Sequence, residues 1–134
     1  MEQLKKIGPG NMGIDKIGYY DTRRIISAKL DRKVKIELTQ QQLEVFDTIV
    51  KMYLSNLTLN TIRDKAEAFR LYKLYRKHIE PKTFKTSKLF KFSLNLSETY
   101  TMYEFLQSID FTDYDHYENT LLSKIYGTID QQTV

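Results

Sequence analysis

The sequence predicts an α+β fold: an antiparallel sheet of two or three strands packed against about four helices, preceded by an extended N-terminal arm. Two stretches carry that prediction. Val34, Ile36 and Leu38 alternate with Lys35 and Glu37 and lead into Phe46, Ile49, Val50 and Tyr53. Fifty-six residues later, Phe90, Phe92 and Leu94 alternate with Lys91 and Ser93 and lead into Met102, Phe105, Leu106 and Ile109. Each stretch changes from an apolar period of about two to one of about 3.6, the mark of a strand running into an amphipathic helix. The match is one of periodicity rather than residue identity, and it defines a pseudo-repeat of 34–80 and 90–130.

The arm comes first. Four of the five glycines fall between Gly8 and Gly18, and Pro9 is one of only two prolines. That density is poor for either helix or strand. The same stretch holds Ile14, Ile17, Tyr19 and Tyr20, more apolar surface than a disordered tail carries. Residues 1–22 are therefore expected to form an arm that docks, with those four side chains as anchors, and residues 23–134 a single domain. Gly8, Gly10 and Gly13 also match the G-x-G-x-x-G spacing of dinucleotide sites. No preceding strand and no following βαβ series supplies the required context.

Residues 24–38 read as a hairpin with a polar break at Asp31, Arg32 and Lys33, because a lone strand at 34–38 needs a partner; a helix over 21–30 is the competing reading. Thr39 with Gln42 has the capping-box pattern and starts a helix to about Leu54, with Leu43, Phe46, Ile49, Val50, Tyr53 and Leu57 on one face. A second helix is expected from Thr61 to Ile79, ended by Pro81, with Ala68, Leu71, Tyr72, Tyr75 and Ile79 inward. A strand from Phe90 to Leu96 follows. Ser97 is placed as the cap of a third helix. Thr112 or Asp113 would cap a fourth, with Tyr114, Tyr117, Leu121 and Ile125 inside and Gly127 ending it.

Composition narrows the function classes. With 134 residues the chain can bury roughly two-thirds of its unfolded surface without a staple, and with no cysteine it has none. Thiol catalysis and thiolate metal sites are excluded. The two histidines, His78 and His116, and the lack of a nucleophile elbow or phosphate loop leave an enzyme little to work with. Asp113, Asp115, His116 and Glu118 are oxygen and nitrogen donors, but they cluster in the first turns of a predicted helix, where acidic groups complement the dipole. No cofactor and no metal are expected. No apolar run reaches the roughly eighteen residues of a membrane span, and no signal-peptide segment follows Met1. A cytoplasmic or virion-associated protein is the expectation, and the Lys-, Ile- and Tyr-rich bias fits a phage or mobile-element source.

Charge is distributed unevenly. Residues 1–96 carry twenty basic and ten acidic side chains, while residues 97–134 carry one and seven. Such opposition implies contact between the halves of one molecule or head-to-tail contact between copies. The basic share is concentrated from Arg63 to Lys91. Arg63, Arg70, Lys73 and Lys77 fall within about 80° on a helical wheel. The leading expectation is a non-enzymatic assembly or protein-interaction component. In it Ile14, Ile17, Tyr19 and Tyr20 anchor the arm, and Arg70, Lys73 and Lys77 face an acidic partner or a second copy. The alternative is a small nucleic-acid-binding protein using Arg63, Arg70, Lys73, Lys77, Lys82, Lys85 and Lys88. Phe90 and Phe92 lie among those lysines, but their shared face with Leu94 assigns them to the core rather than to base stacking.

Overall fold

The structure is a computed structural model describing residues 18–25, 28 and 32–133. The chain divides into two units, 1–32 and 33–134. In the first unit, residues 18–25 are helical, with Tyr19 and Tyr20 exposed and packed edge to face. Ile14 and Ile17 lie outside the described residues, as does most of the glycine-rich stretch.

The second unit runs β1 (Val34–Leu38), α1 (Gln40–Ser55), α2 (Ile62–Leu74), a π-helical turn (Tyr75–Ile79), α3 (Glu80–Thr83), β2 (Phe90–Leu94), α4 (Leu96–Ser108) and α5 (His116–Gln132), with a 3-10 turn at Phe111–Asp113. β1 and β2 form a two-stranded antiparallel ribbon, Val34 opposite Leu94, Ile36 opposite Phe92 and Leu38 opposite Phe90. The inner residues of both strands are buried and the alternating ones exposed. The hairpin expected over 24–38 is not formed, since residues 24, 25 and 28 are helical. β1 instead pairs with β2, with Ile36 opposite Phe92 fifty-six residues on, and the alternating apolar row of β2 matches its own inner face.

That pairing gives the pseudo-repeat a geometry. Ile36 and Phe92 are equivalent by sequence spacing and also face each other across the ribbon, so a pseudo-twofold axis passes between them. The repeat extends through the caps. Thr39 with Gln42 and Asn95 with Glu98 each form a reciprocal capping box, again fifty-six residues apart. The second helices cross over: α2 packs on α4, and α5 packs on α1 and β1 as well as on α4 of its own half. Each half thus completes the other's core, and residues from both form one hydrophobic cluster.

Several boundaries differ from the sequence reading, each for a local reason. Strand β2 ends at Leu94, and Asn95 rather than Ser97 caps α4, its side chain accepting from the Glu98 N–H at 2.8 Å. Leu96 consequently leaves the core face and is exposed. Asp115, not Thr112 or Asp113, caps α5 in a box with Glu118. Pro81 does not stop the second helix. The backbone widens before it, with the Glu80 N–H donating five residues back to Tyr75, and α3 continues with the proline in its first turn. The wider turn relieves the proline ring's clash with the preceding carbonyls. Tyr72 and Tyr117 turn outward, while Leu74, Leu122 and Ile129 take buried places.

Helix α5 also runs through Gly127 to Gln132. Gly127 is exposed, and a Cβ built there meets nothing within 4 Å. An interior helical glycine costs about 0.5–1 kcal/mol relative to alanine. Gly127→Ala is therefore expected to raise Tm by about 3–6 °C in a thermal unfolding scan; a lower Tm would mean the glycine serves a contact.

Candidate functional site

The basic residues predicted from sequence are brought onto one helix but are mostly occupied. Arg63 pairs with Glu67 at 3.2 Å, Arg70 with Glu104 at 3.4 Å and Lys77 with Glu98 at 2.8 Å. Lys73 lies 5.3 Å from the centre of the Phe69 ring. The groove between α2 and α4, about 590 Å³, is lined by Arg70, Lys73 and Lys77 on one side and by Asn95, Glu98 and Thr101 on the other. Two of its cations are thus matched by carboxylates of the acidic C-terminal region within the same chain. The charge opposition visible in the sequence is satisfied, at least there, by contact between the halves.

The π-helical turn is the junction of that arrangement. Tyr75 donates a 2.7 Å hydrogen bond to the buried Asp47 of α1, which also meets Lys51 at 3.1 Å. Burial and the Asp47 carboxylate push the Tyr75 phenol well above its ordinary value. Lys77 and His78 both reach Glu98, at 2.8 and 2.9 Å. Burial of Glu98 opposes its ionisation. Bonds from Lys77, the Asn95 N–H and His78 outweigh that burial and hold the carboxyl at about 2. Successive side chains of one turn therefore tie α1 and α4 together. The geometry is structural, because every polar group in it has a partner.

Lys82 is half-buried, 4.7 Å from the centre of the Phe92 ring, and burial followed by the nearby Lys85 charge lowers its pKa. Lys85 and Lys88 are exposed in the turn before β2 and make no ion pair among the described residues. Asp115 and Glu118 are committed to capping α5.

The outer face of the ribbon is the arrangement that sequence reasoning passed over. Lys35, Glu37, Lys91 and Ser93 all point away from the core and are exposed, with Lys33 and Leu89 continuing the two rows. Lys35 lies opposite Ser93, and Glu37 opposite Lys91 with 3.9 Å between their charged atoms. At the edge of β1 the Gln132 side chain takes the place of a third strand. It accepts from the Lys35 N–H at 2.8 Å and donates to the Lys35 carbonyl at 2.7 Å. That bridge blocks strand addition beside Lys35, while the polar face stays open. The signal was present in the alternation at 34–38 and 90–94, but a polar strand face reads from sequence as mere solvation. Only the register shows four polar side chains converging on one surface.

No helix among the described residues is long and apolar enough to cross a membrane. Compared with protein-family models, curated proteins and solved structures, the chain matches none.

Proposed function

We propose that this chain binds duplex DNA by laying the outer face of the β1–β2 ribbon in the major groove. The observation that carries the reading is the open, polar, net-basic face of a two-stranded antiparallel ribbon whose other face is fully used by the core. Paired strands lie about 4.8 Å apart, and the B-form major groove, about 12 Å wide, admits such a ribbon with its outer face, and so its side chains, toward the bases. Lys35 and Lys91 suit guanine O6 and N7, and Ser93 can bond to any base edge. Lys33, Lys85 and Lys88, exposed in the segments that precede the two strands, would meet phosphates. A-form RNA fits poorly because its major groove is deep and narrow.

Titration of the full chain into a labelled duplex of mixed sequence tests this. Affinity should fall steeply with added salt. Lys35→Ala with Lys91→Ala should weaken binding at least tenfold, whereas Arg70→Ala should leave it nearly unchanged. An unaltered affinity in the double variant would sink the proposal.

A second reading, a protein-interaction or assembly role, is favoured by the outward face of α2. Ile62 is 84% exposed and Phe69 59% exposed at helical spacing, with Tyr72 beside them. Isolated apolar residues are ordinary on surfaces, but a row of them fits a partner's apolar patch. Sedimentation of Phe69→Glu beside the unaltered chain tests it: loss of an oligomer supports this role, and an identical monomer in both rules out self-association through α2.

A further inference from the structure

We infer that Glu37 makes the ribbon read an asymmetric duplex site, an inference that rests on the DNA-binding reading above. The pseudo-twofold axis between Ile36 and Phe92 relates β1 to β2, so it relates Lys35 to Lys91 and Glu37 to Ser93. The two strands of a duplex are themselves related by twofold axes perpendicular to the helix. A ribbon with identical mates would therefore select an inverted repeat. Within the paired strands one pair of outward mates is identical and the other is not, and just beyond them Lys33 is matched with Leu89.

The difference is chemical. An ionised Glu37 only accepts hydrogen bonds. It is matched by the cytosine N4 amino group and opposed by guanine O6 and N7 and thymine O4. Ser93 both donates and accepts and tolerates any base. Glu37 also sits beside Lys91 at 3.9 Å, so that end of the ribbon presents an acceptor and a donor together. That couple fits a cytosine next to a guanine. At the other end Lys35 faces the neutral Ser93 across the strands. The ends consequently differ in both charge and hydrogen-bonding capacity, although the backbone beneath them is nearly symmetric.

Selection from a randomised duplex library, with the full chain and with Glu37→Ser, tests the inference. The substitution makes the mates at this position identical, and because Glu37 is exposed the fold should be retained; circular dichroism of the variant checks that. The unaltered chain should recover sites specified on one side, preferring cytosine there by about tenfold. The variant should lose that preference and shift toward an inverted repeat. If both proteins select the same sites, or if the unaltered chain already selects an inverted repeat, the inference is wrong while DNA binding stands. If neither retains any duplex, the DNA-binding reading itself falls, and this inference with it.

Discussion

Replacing Phe105 by alanine is expected to remove about 3–5 kcal/mol of stability, enough to leave the 33–134 unit barely folded. Phe105 is 3% exposed on α4 and meets two rings of α1 edge to face, Phe46 at 6.2 Å and Tyr53 at 4.9 Å between centroids. It therefore joins the first helix of one half to the first helix of the other. Truncation loses the transfer energy of a large apolar side chain and the edge-to-face contacts, and opens a cavity that close-packed neighbours can only partly fill. A domain of this size is stable by about 5–15 kcal/mol in total. Urea unfolding measures the loss. Phe111→Ala, at a residue 46% exposed, should change stability by no more than about 0.5 kcal/mol. Equal effects from the two substitutions would contradict the packing described.

Glu98→Gln is the second large effect, and its size should depend on pH. The carboxylate joins the capping box of α4 to Lys77 and His78 of the π-helical turn. Its folded-state value of about 2 lies below the ordinary 4.5. A depressed carboxylate stabilises the fold above its unfolded value, and the contribution is lost as pH falls through the folded value. The substitution should therefore cost about 2 kcal/mol at pH 7. It should cost progressively less from pH 4.5 downward, and little near pH 2. The glutamine can still accept from the Asn95 N–H, so the cap largely persists and the pH-dependent loss reports the ionic contacts. Denaturant melts of both proteins at pH 7 and pH 2.5 decide the matter; a loss independent of pH would assign the effect to shape rather than charge.

Both predictions concern residues that periodicity had already marked or nearly marked. Phe105 was assigned to a buried helical face from its spacing with Met102 and Leu106. Thr39 and Gln42 are legible as a capping box, and alternation shows the inward rows of β1 and β2 apart from Leu96, which it places inside and the structure exposes. Glu98 is not singled out by sequence, because Ser97 is placed as the cap, whereas Asn95 and Glu98 form the capping box. The strand ends at Leu94, two residues before the end that alternation predicts, and Asn95 takes the role of cap. Pro81 and Gly127 misled for a related reason. Each disfavours helix locally, by an amount that tertiary packing of Ile79 and Ile129 offsets.

The candidate site was less legible than the fold. The basic stripe of α2 is real as a wheel pattern, yet its charge is largely met by Glu67, Glu98 and Glu104. The lysines of the ribbon are less conspicuous in the sequence because each is a single polar residue in an apolar alternation. Their arrangement depends on a pairing across more than fifty residues.

The sequence by itself determined the kinds of element, their buried sides and the repeat of strand and helix fifty-six residues apart. Period and capping chemistry act over a few residues, so a single chain displays them directly. Only the tertiary structure decided that β1 pairs with β2 rather than with a preceding strand, that each second helix packs on the opposite half, and that two carboxylates of the acidic end meet the basic groove internally. Those choices depend on which complementary surfaces bury most apolar area and match most charge, a comparison among distant segments that no local pattern contains.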